Sequence, residues 1–227
     1  SKVAEGCRFE RAGDFAPPGA QPWLGSWLPV DLDDPPCDAP PRPGPALHEL
    51  VARGAAWAGA DSLAVWPSLT HAALAAAARC WAAAVCRAAE VRVGVLAAQV
   101  DAAVLPVLLG ISMGHAAYVP LVPTWPVARL SAAVAAASLR LAAAPSTAQR
   151  GLATDLGFTL LEPMAEASAA SLALPSRLAD GAAPLVVIFT SGSTGAPKAV
   201  ELGHRAVLGN LVYMAEAYGY CPGDRAL

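Results

Sequence analysis

The sequence predicts an α/β protein of three-layer αβα architecture built on a largely parallel sheet. Three observations carry that expectation. From Asp61 onward, short β-branched and aliphatic runs alternate with longer stretches at helical spacing. A repeated strand–helix–strand order implies parallel strands with helices on both faces. The run Leu185–Thr190, reading L-V-V-I-F-T, has the length and composition of a strand buried on both faces. The first 45 residues hold ten of the 21 prolines, which excludes a ladder or helix there and reads as an extended linker. The chain thus divides into a Pro-rich linker, 1–45, and one α/β region, 46–227.

Composition narrows the function classes. With 56% hydrophobic and 15% charged residues, a core is readily built, although alanine supplies much of it and buries little area per residue. The net charge is −3 and the basic residues are scattered, so there is no footprint for nucleic acid. Cys7, Cys37, Cys80, Cys86 and Cys221 are odd in number and form no C-x-x-C pair. They read as free thiols in a reducing, cytoplasmic compartment, with no metal set. Ser1–Gly6 shows no apolar leader, and the missing initiator Met reads as a processed chain or an excerpt. Residues 93–122 imitate a membrane span in length, but Gln99, Asp101, Pro106 and His115 interrupt them. A buried strand–helix–strand unit and no membrane partner are the expectation.

Taken in order, Ser62–Trp66 reads as a short strand, and Thr70 can cap a helix from His71 to Glu90. Leu74, Trp81 and Val85 share one side of that helix, opposite Arg79, Arg87 and Glu90. Cys80 and Cys86 read as core. Val91–Ala98 is the next strand, and Asp101 can cap a helix ending near Gly114. Pro106 inside it costs about 3 kcal/mol unless it falls in the first turns or kinks the helix. His115 reads as a structural residue beside a turn. Helix Pro126–Ser138, strand Leu139–Ala143, helix Ser146–Leu156 and strand Phe158–Leu161 continue the alternation. Residues 163–183, rich in Ala and Ser, read as a loop or loose helix. Ala199–Leu202 reads as a short strand and Ala206–Tyr218 as a helix with His204 capping its start.

The chemistry-bearing stretch follows the L-V-V-I-F-T strand. Thr190, Ser191, Gly192, Ser193, Thr194 and Gly195 have small or absent side chains, so successive backbone N–H groups can face one point. Such a concavity binds an anion, and the hydroxyls add donors. Lys198 brings a mobile positive charge within reach of the same anion, and Pro197 stiffens the exit. A polyphosphate is the natural guest. The Walker pattern fails, since Pro197 stands where its second glycine belongs and Ala199 follows the lysine. The dinucleotide pattern fails too, with Thr194 in the place of its second glycine.

T-S-G-S-T-G-A-P-K, Thr190–Lys198, resembles the phosphate-loop signature T-S-G-S-T-G-x-P-K of the adenylate-forming (AMP-dependent synthetase and ligase) superfamily. The chain is most like the N-terminal part of a nonribosomal peptide synthetase adenylation domain. Leu47-His48-Glu49-Leu50, Ser68–Leu74, Gly114–Leu121 and Pro222-Gly223-Asp224-Arg225 are similar to further motifs of those domains. Departures are Ala199 for a usual Gly, His71 for a Tyr and Val122 for an Asp.

The resemblance implies activation of a carboxylic acid, in particular an amino acid, by ATP with magnesium. An acyl-adenylate and pyrophosphate would form, and the acyl group would pass to a phosphopantetheine thiol on a carrier protein or to CoA. It also implies that residues 46–227 are the N-terminal portion of the family's large domain, truncated. The amino-acid pocket, the adenine motif and the catalytic lysine would lie beyond, so these residues alone are not expected to complete the reaction. No catalytic residue is assigned among them. Two alternatives stay open: an acyl-CoA synthetase-like or carboxylate-reductase enzyme, and an inactive remnant that packs on a partner through its sheet edge.

Overall fold

A computed structural model describes residues 46–65, 69–173, 183–191 and 197–218. These fall into two units: residues 46–206 hold the sheet, and residues 207–218 are most of the final helix. Helix α1 (Leu47–Ala58) precedes a small antiparallel pair, β1 (Leu63–Val65) and β2 (Leu69–Thr70). Then follow α2 (His71–Ala88), β3 (Arg92–Leu96), α3 (Val104–Met113) and β4 (Ala117–Leu121). Next come α4 (Val127–Ala136), β5 (Leu141–Ala143), α5 (Thr147–Asp155), β6 (Thr159–Leu160) and the short α6 (Glu166–Ser171). The described chain ends with β7 (Pro184–Ser191), β8 (Pro197–Gly203) and α7 (His204–Tyr218).

Six strands form one sheet in the order β6-β5-β3-β4-β7-β8. All neighbours are parallel except β8, which runs antiparallel to β7. The period of two decides which helix each strand residue meets. Val93, Val95 and Ala143 face a cluster with Trp81, Val85, Val107 and Ile111 of α2 and α3. Leu96, Val119, Ala142 and Val187 face the opposite cluster, with Leu130 and Ala133 of α4 and Ala153 of α5. The sheet is therefore covered on both sides, giving the three-layer αβα arrangement that the alternation implied. A third cluster, Leu74, Ala78 and Leu109 with Val51 and Met113, seats α1 against α2 and α3.

The helix starts follow the capping chemistry in the sequence. Thr70 Oγ1 accepts from the Ala73 N–H at 3.1 Å. Asp101 Oδ1 accepts from the N–H groups of Ala103 and Val104 at 2.9 and 3.0 Å. Ser146 and Gln149 form a capping box at α5. Pro106 is the third residue of α3, where its missing N–H would have no intrahelical acceptor in any case, so it costs no helix bond.

Some boundaries differ from the periodicity. β3, β5 and β6 are shorter than their apolar runs, whereas β7 is longer than the Leu185–Thr190 run. Arg92–Leu96 replaces Val91–Ala98, and Val91 is 68% exposed. Cys80 and Cys86 are half-buried free thiols, not fully enclosed core residues. Within β7 only Leu185, Val186 and Val187 are buried, and Ile188 is already 37% exposed, so the strand is not enclosed on both faces along its length. Among the described residues no helix is long and apolar enough to cross a membrane.

Gly110 sets the spacing of α2 and α3. A Cβ there would lie 2.4 Å from Trp81 Cβ and 2.6 Å from the Ala78 carbonyl oxygen, so only a glycine lets the two helices approach. Gly110→Ala is expected to destabilise the chain by about 2 kcal/mol or more, through displaced backbone. Gly151→Ala, on a helix position with nothing within 4 Å of the new methyl, is the control. It should be neutral or stabilising by up to about 1 kcal/mol, both read from urea unfolding midpoints.

Candidate functional site

The antiparallel hairpin β7–β8 positions the residues that the loop motif nominates. Tyr118 of β4 stands beside Val186 of β7. Continued along the two strands, that register sets Leu121 beside Phe189, so Thr190 and Ser191 run past the end of β4. Thr190 and Ser191 thus stand at the carboxyl rim of the parallel strands, the side where open α/β sheets take their ligands. β8 spans Pro197–Gly203, longer than the Ala199–Leu202 run suggested, because its ladder with β7 continues to Pro197 at one end and, past a register shift near Leu185, to Gly203 at the other.

Thr190 and Lys198 are direct cross-strand partners. Opposed residues of an antiparallel pair share a face with Cβ atoms about 5 Å apart, so the hydroxyl and the ammonium stem start together. Both are exposed. Behind them, Ile188 and Val200 form the next pair on that face, 37% and 38% exposed. The opposite face of β7 carries Val187 and Phe189 into the core with α4. Ser191 closes β7 opposite Pro197. Gly192, Ser193, Thr194 and Gly195 lie outside the described residues, as do Cys7, Cys37, Cys221 and Pro222–Arg225.

The base of the hairpin is tied by side chains that sequence spacing does not reveal. Arg92 at the start of β3 donates through Nε to Glu201 Oε1 at 2.9 Å and also pairs with it through Nη2. The His204 N–H donates to the Ala183 carbonyl at 3.1 Å, closing the open end of the hairpin. His204 Nδ1 accepts from the Leu47 N–H at 3.1 Å, joining the first residue of α7 to the first residue of α1. His204 is thus a cap of another helix, α1, although the sequence suggested capping of its own. It is 1% exposed, and burial, helped by His48 and His115, lowers its pKa from 6.5 to about 4.

His48 and His115 complete a group of three imidazoles. The rings of His48 and His115 are 6.3 Å apart, and His48 Nδ1 lies 3.2 Å from Ser112 Oγ. Burial lowers the pKa of both, with Glu49 working in the opposite sense. His115 takes the left-handed conformation, φ 60°, that closes α3, and its buried Nε2 has no hydrogen-bond partner. A cavity of about 320 Å³ lies between α1, α2 and α3, bounded by Glu49, His71, Arg79 and apolar side chains, and shares no residue with the hairpin. Among the described residues no group of three or more His, Cys, Asp or Glu could hold a metal ion.

Comparison with known proteins bears on the family and the fold. The family described as "AMP-binding enzyme" matches residues 52–227. The isonitrile lipopeptide synthase of Streptomyces coeruleorubidus is 35% identical over 199 residues, covering 84% of this chain and 14% of that protein. The chain therefore spans about a seventh of that relative's length. VinN, solved in complex with L-aspartate, superposes with a TM-score of 0.64 at 23% identity, over 79% of this chain and 49% of that one. The fatty acyl-adenylate ligase from L. pneumophila, in complex with acyl adenylate and pyrophosphate, superposes with a TM-score of 0.66 at 18% identity, over 78% and 33%. These two likenesses show a shared fold. Over most of its length, then, the chain belongs to the AMP-binding enzyme family and carries the N-terminal portion of the adenylate-forming fold.

Proposed function

We propose that this chain is the phosphate-holding part of an enzyme that activates a carboxylic acid with ATP. The observation that carries the reading is the register that sets Thr190 opposite Lys198 at the carboxyl rim, on either side of the S-G-S-T-G segment. Thr190, Ser191, Gly192, Ser193, Thr194, Gly195 and Lys198 would together hold the β- and γ-phosphates. An exposed lysine on a stiff strand suits a leaving pyrophosphate, because its charge need not be reorganised as negative charge grows. Attack of the carboxylate on the α-phosphorus releases pyrophosphate and leaves the acyl-adenylate, and residues elsewhere in the enzyme would supply the remaining contacts. Magnesium would enter with the phosphates and offset part of their charge.

The acid is proposed to be an amino acid, passed on to the phosphopantetheine thiol of a carrier-protein domain. VinN, held with L-aspartate, and the lipopeptide synthase from Streptomyces support that choice over a free fatty acid and CoA. A cytoplasmic setting accompanies the reading, given an ATP-consuming reaction and the half-buried free thiols of Cys80 and Cys86.

Lys198→Ala removes one charge-assisted contact, so MgATP affinity of the 227-residue chain should fall about tenfold or more. Unchanged affinity by calorimetry would remove the lysine from the site. With a longer chain containing the acid pocket, acid-dependent pyrophosphate exchange should respond to amino acids in a mixed panel. Exchange with fatty acids alone would reassign the substrate.

A further inference from the structure

We propose that His204 is a positioning residue whose neutral imidazole clamps the base of the phosphate hairpin to the start of α1, so that the hairpin is held in place only while this ring is unprotonated. The inference rests on the hairpin being the phosphate site, and it adds a control on that site. Its footing is geometric. One residue makes both closures at the hairpin base: its backbone N–H to Ala183 at 3.1 Å, and its Nδ1 from the Leu47 N–H at 3.1 Å, across 157 residues of sequence. An imidazole accepting at Nδ1 keeps its single proton on Nε2. A second proton can go only to Nδ1, where it displaces the Leu47 N–H and leaves two donors facing each other in a buried place.

What the clamp holds is a lever. β8 is a sheet edge among the described residues, paired with β7 alone. From His204 at its base to Lys198 near its tip is six residues, or about 20 Å of strand. A small rotation at the base therefore becomes a large displacement at the lysine. The β7 ladder and α4 also hold β8, whereas the Arg92–Glu201 pair is exposed and contributes little rigidity.

The surroundings oppose protonation from several sides. His48 on α1 and His115 after α3 both act on His204, and each is itself held below the usual histidine range by burial. Glu49 on α1 works against this by favouring charge on His48 and His115. From α2, His71 and Arg79 bound the cavity beside His48 and Glu49, and Arg205 follows His204 in α7. With the folded pKa near 4 and the ordinary value at 6.5, the unfolded chain binds more protons in between. The clamp's stabilisation is thus complete above 6.5 and is lost as pH falls toward about 4. The loss occurs within the folded chain as well, because the ring can leave its acceptor position without global unfolding.

The test compares the 227-residue chain with His204→Asn and His204→Leu. Asparagine keeps an acceptor near the Nδ1 position that cannot titrate; leucine keeps bulk and removes the acceptor. Amide hydrogen exchange is measured first, without nucleotide. At neutral pH the Leu47 and β8 amides of His204→Leu should exchange about tenfold faster than wild type, and those of His204→Asn should match wild type. On acidification to about pH 4, beyond the intrinsic change of rate, wild type should lose protection there and His204→Asn should not. MgATP affinity follows: wild type should weaken more than His204→Asn between the two conditions, since protonation of ATP itself is common to both.

Equal Leu47 and β8 protection in His204→Leu and wild type would overturn the proposal. So would an acid response that persists undiminished in His204→Asn. If His204→Leu does not fold, wild type and His204→Asn still decide through the acid response. If none of the proteins binds MgATP, the phosphate reading fails, while hydrogen exchange still supports or overturns the clamp. Lys198→Ala should weaken MgATP binding about tenfold or more and leave Leu47 exchange unchanged.

Discussion

β7 pairs with strands of opposite sense on its two sides, and the placement of the site depends on that pairing. On one side β4 runs parallel, with Tyr118 beside Val186, which aligns the carboxyl ends of β3, β4 and β7 along one rim. On the other side β8 runs antiparallel, in continuous register from Ser191 opposite Pro197 to Val186 opposite Leu202, with a register shift before Pro184 opposite Gly203. A parallel neighbour needs a long crossover, whereas an antiparallel one needs only a short connection. Thr190 and Lys198 therefore stand at the rim as direct partners. Leu185, Val186 and Val187 anchor the near end, each side chain contributing about 1.5–3 kcal/mol by burial. The far end is left exposed, as a site open to a charged ligand requires.

The helical layers make that anchoring possible. Gly110 and Gly114 lie one turn apart on α3, and a Cβ at either would come within 2.4–2.7 Å of α2 side chains. The two helices thus form a thin, stiff layer against Val93 and Val95, while α4 and α5 cover the other side of the same strands. The sheet twist and strand order are set by these packed faces, and the hairpin inherits its direction from them.

Local chemistry was legible in the sequence. The Thr70 and Asp101 caps, the apolar face Leu74–Trp81–Val85 and the strand–helix alternation all depend on residues close in the chain, so spacing reveals them. The family was legible because its phosphate loop compresses a specific pattern into nine residues, Thr190–Lys198. Less legible was anything set by what covers a residue. Hydropathy cannot tell that Ile188 emerges from the core while Val187 stays inside, since both suit a strand. Nor can it show that Cys80 and Cys86 are only half covered. The bond from Leu47 to His204 joins positions 157 residues apart, and the Arg92–Glu201 pair 109 apart. No local pattern encodes such separations; only the closing of the sheet creates them.

The most direct measurement of the central claim, that the β7–β8 tip is where triphosphate binds, is the titration of isotope-labelled chain with MgATP, followed by backbone amide shifts. The predicted result is saturable movement of the amides around Thr190 and Lys198, with those of α5 and β6 unmoved. Saturable movement centred on the cavity beside α1, with Thr190 and Lys198 unaffected, would contradict it.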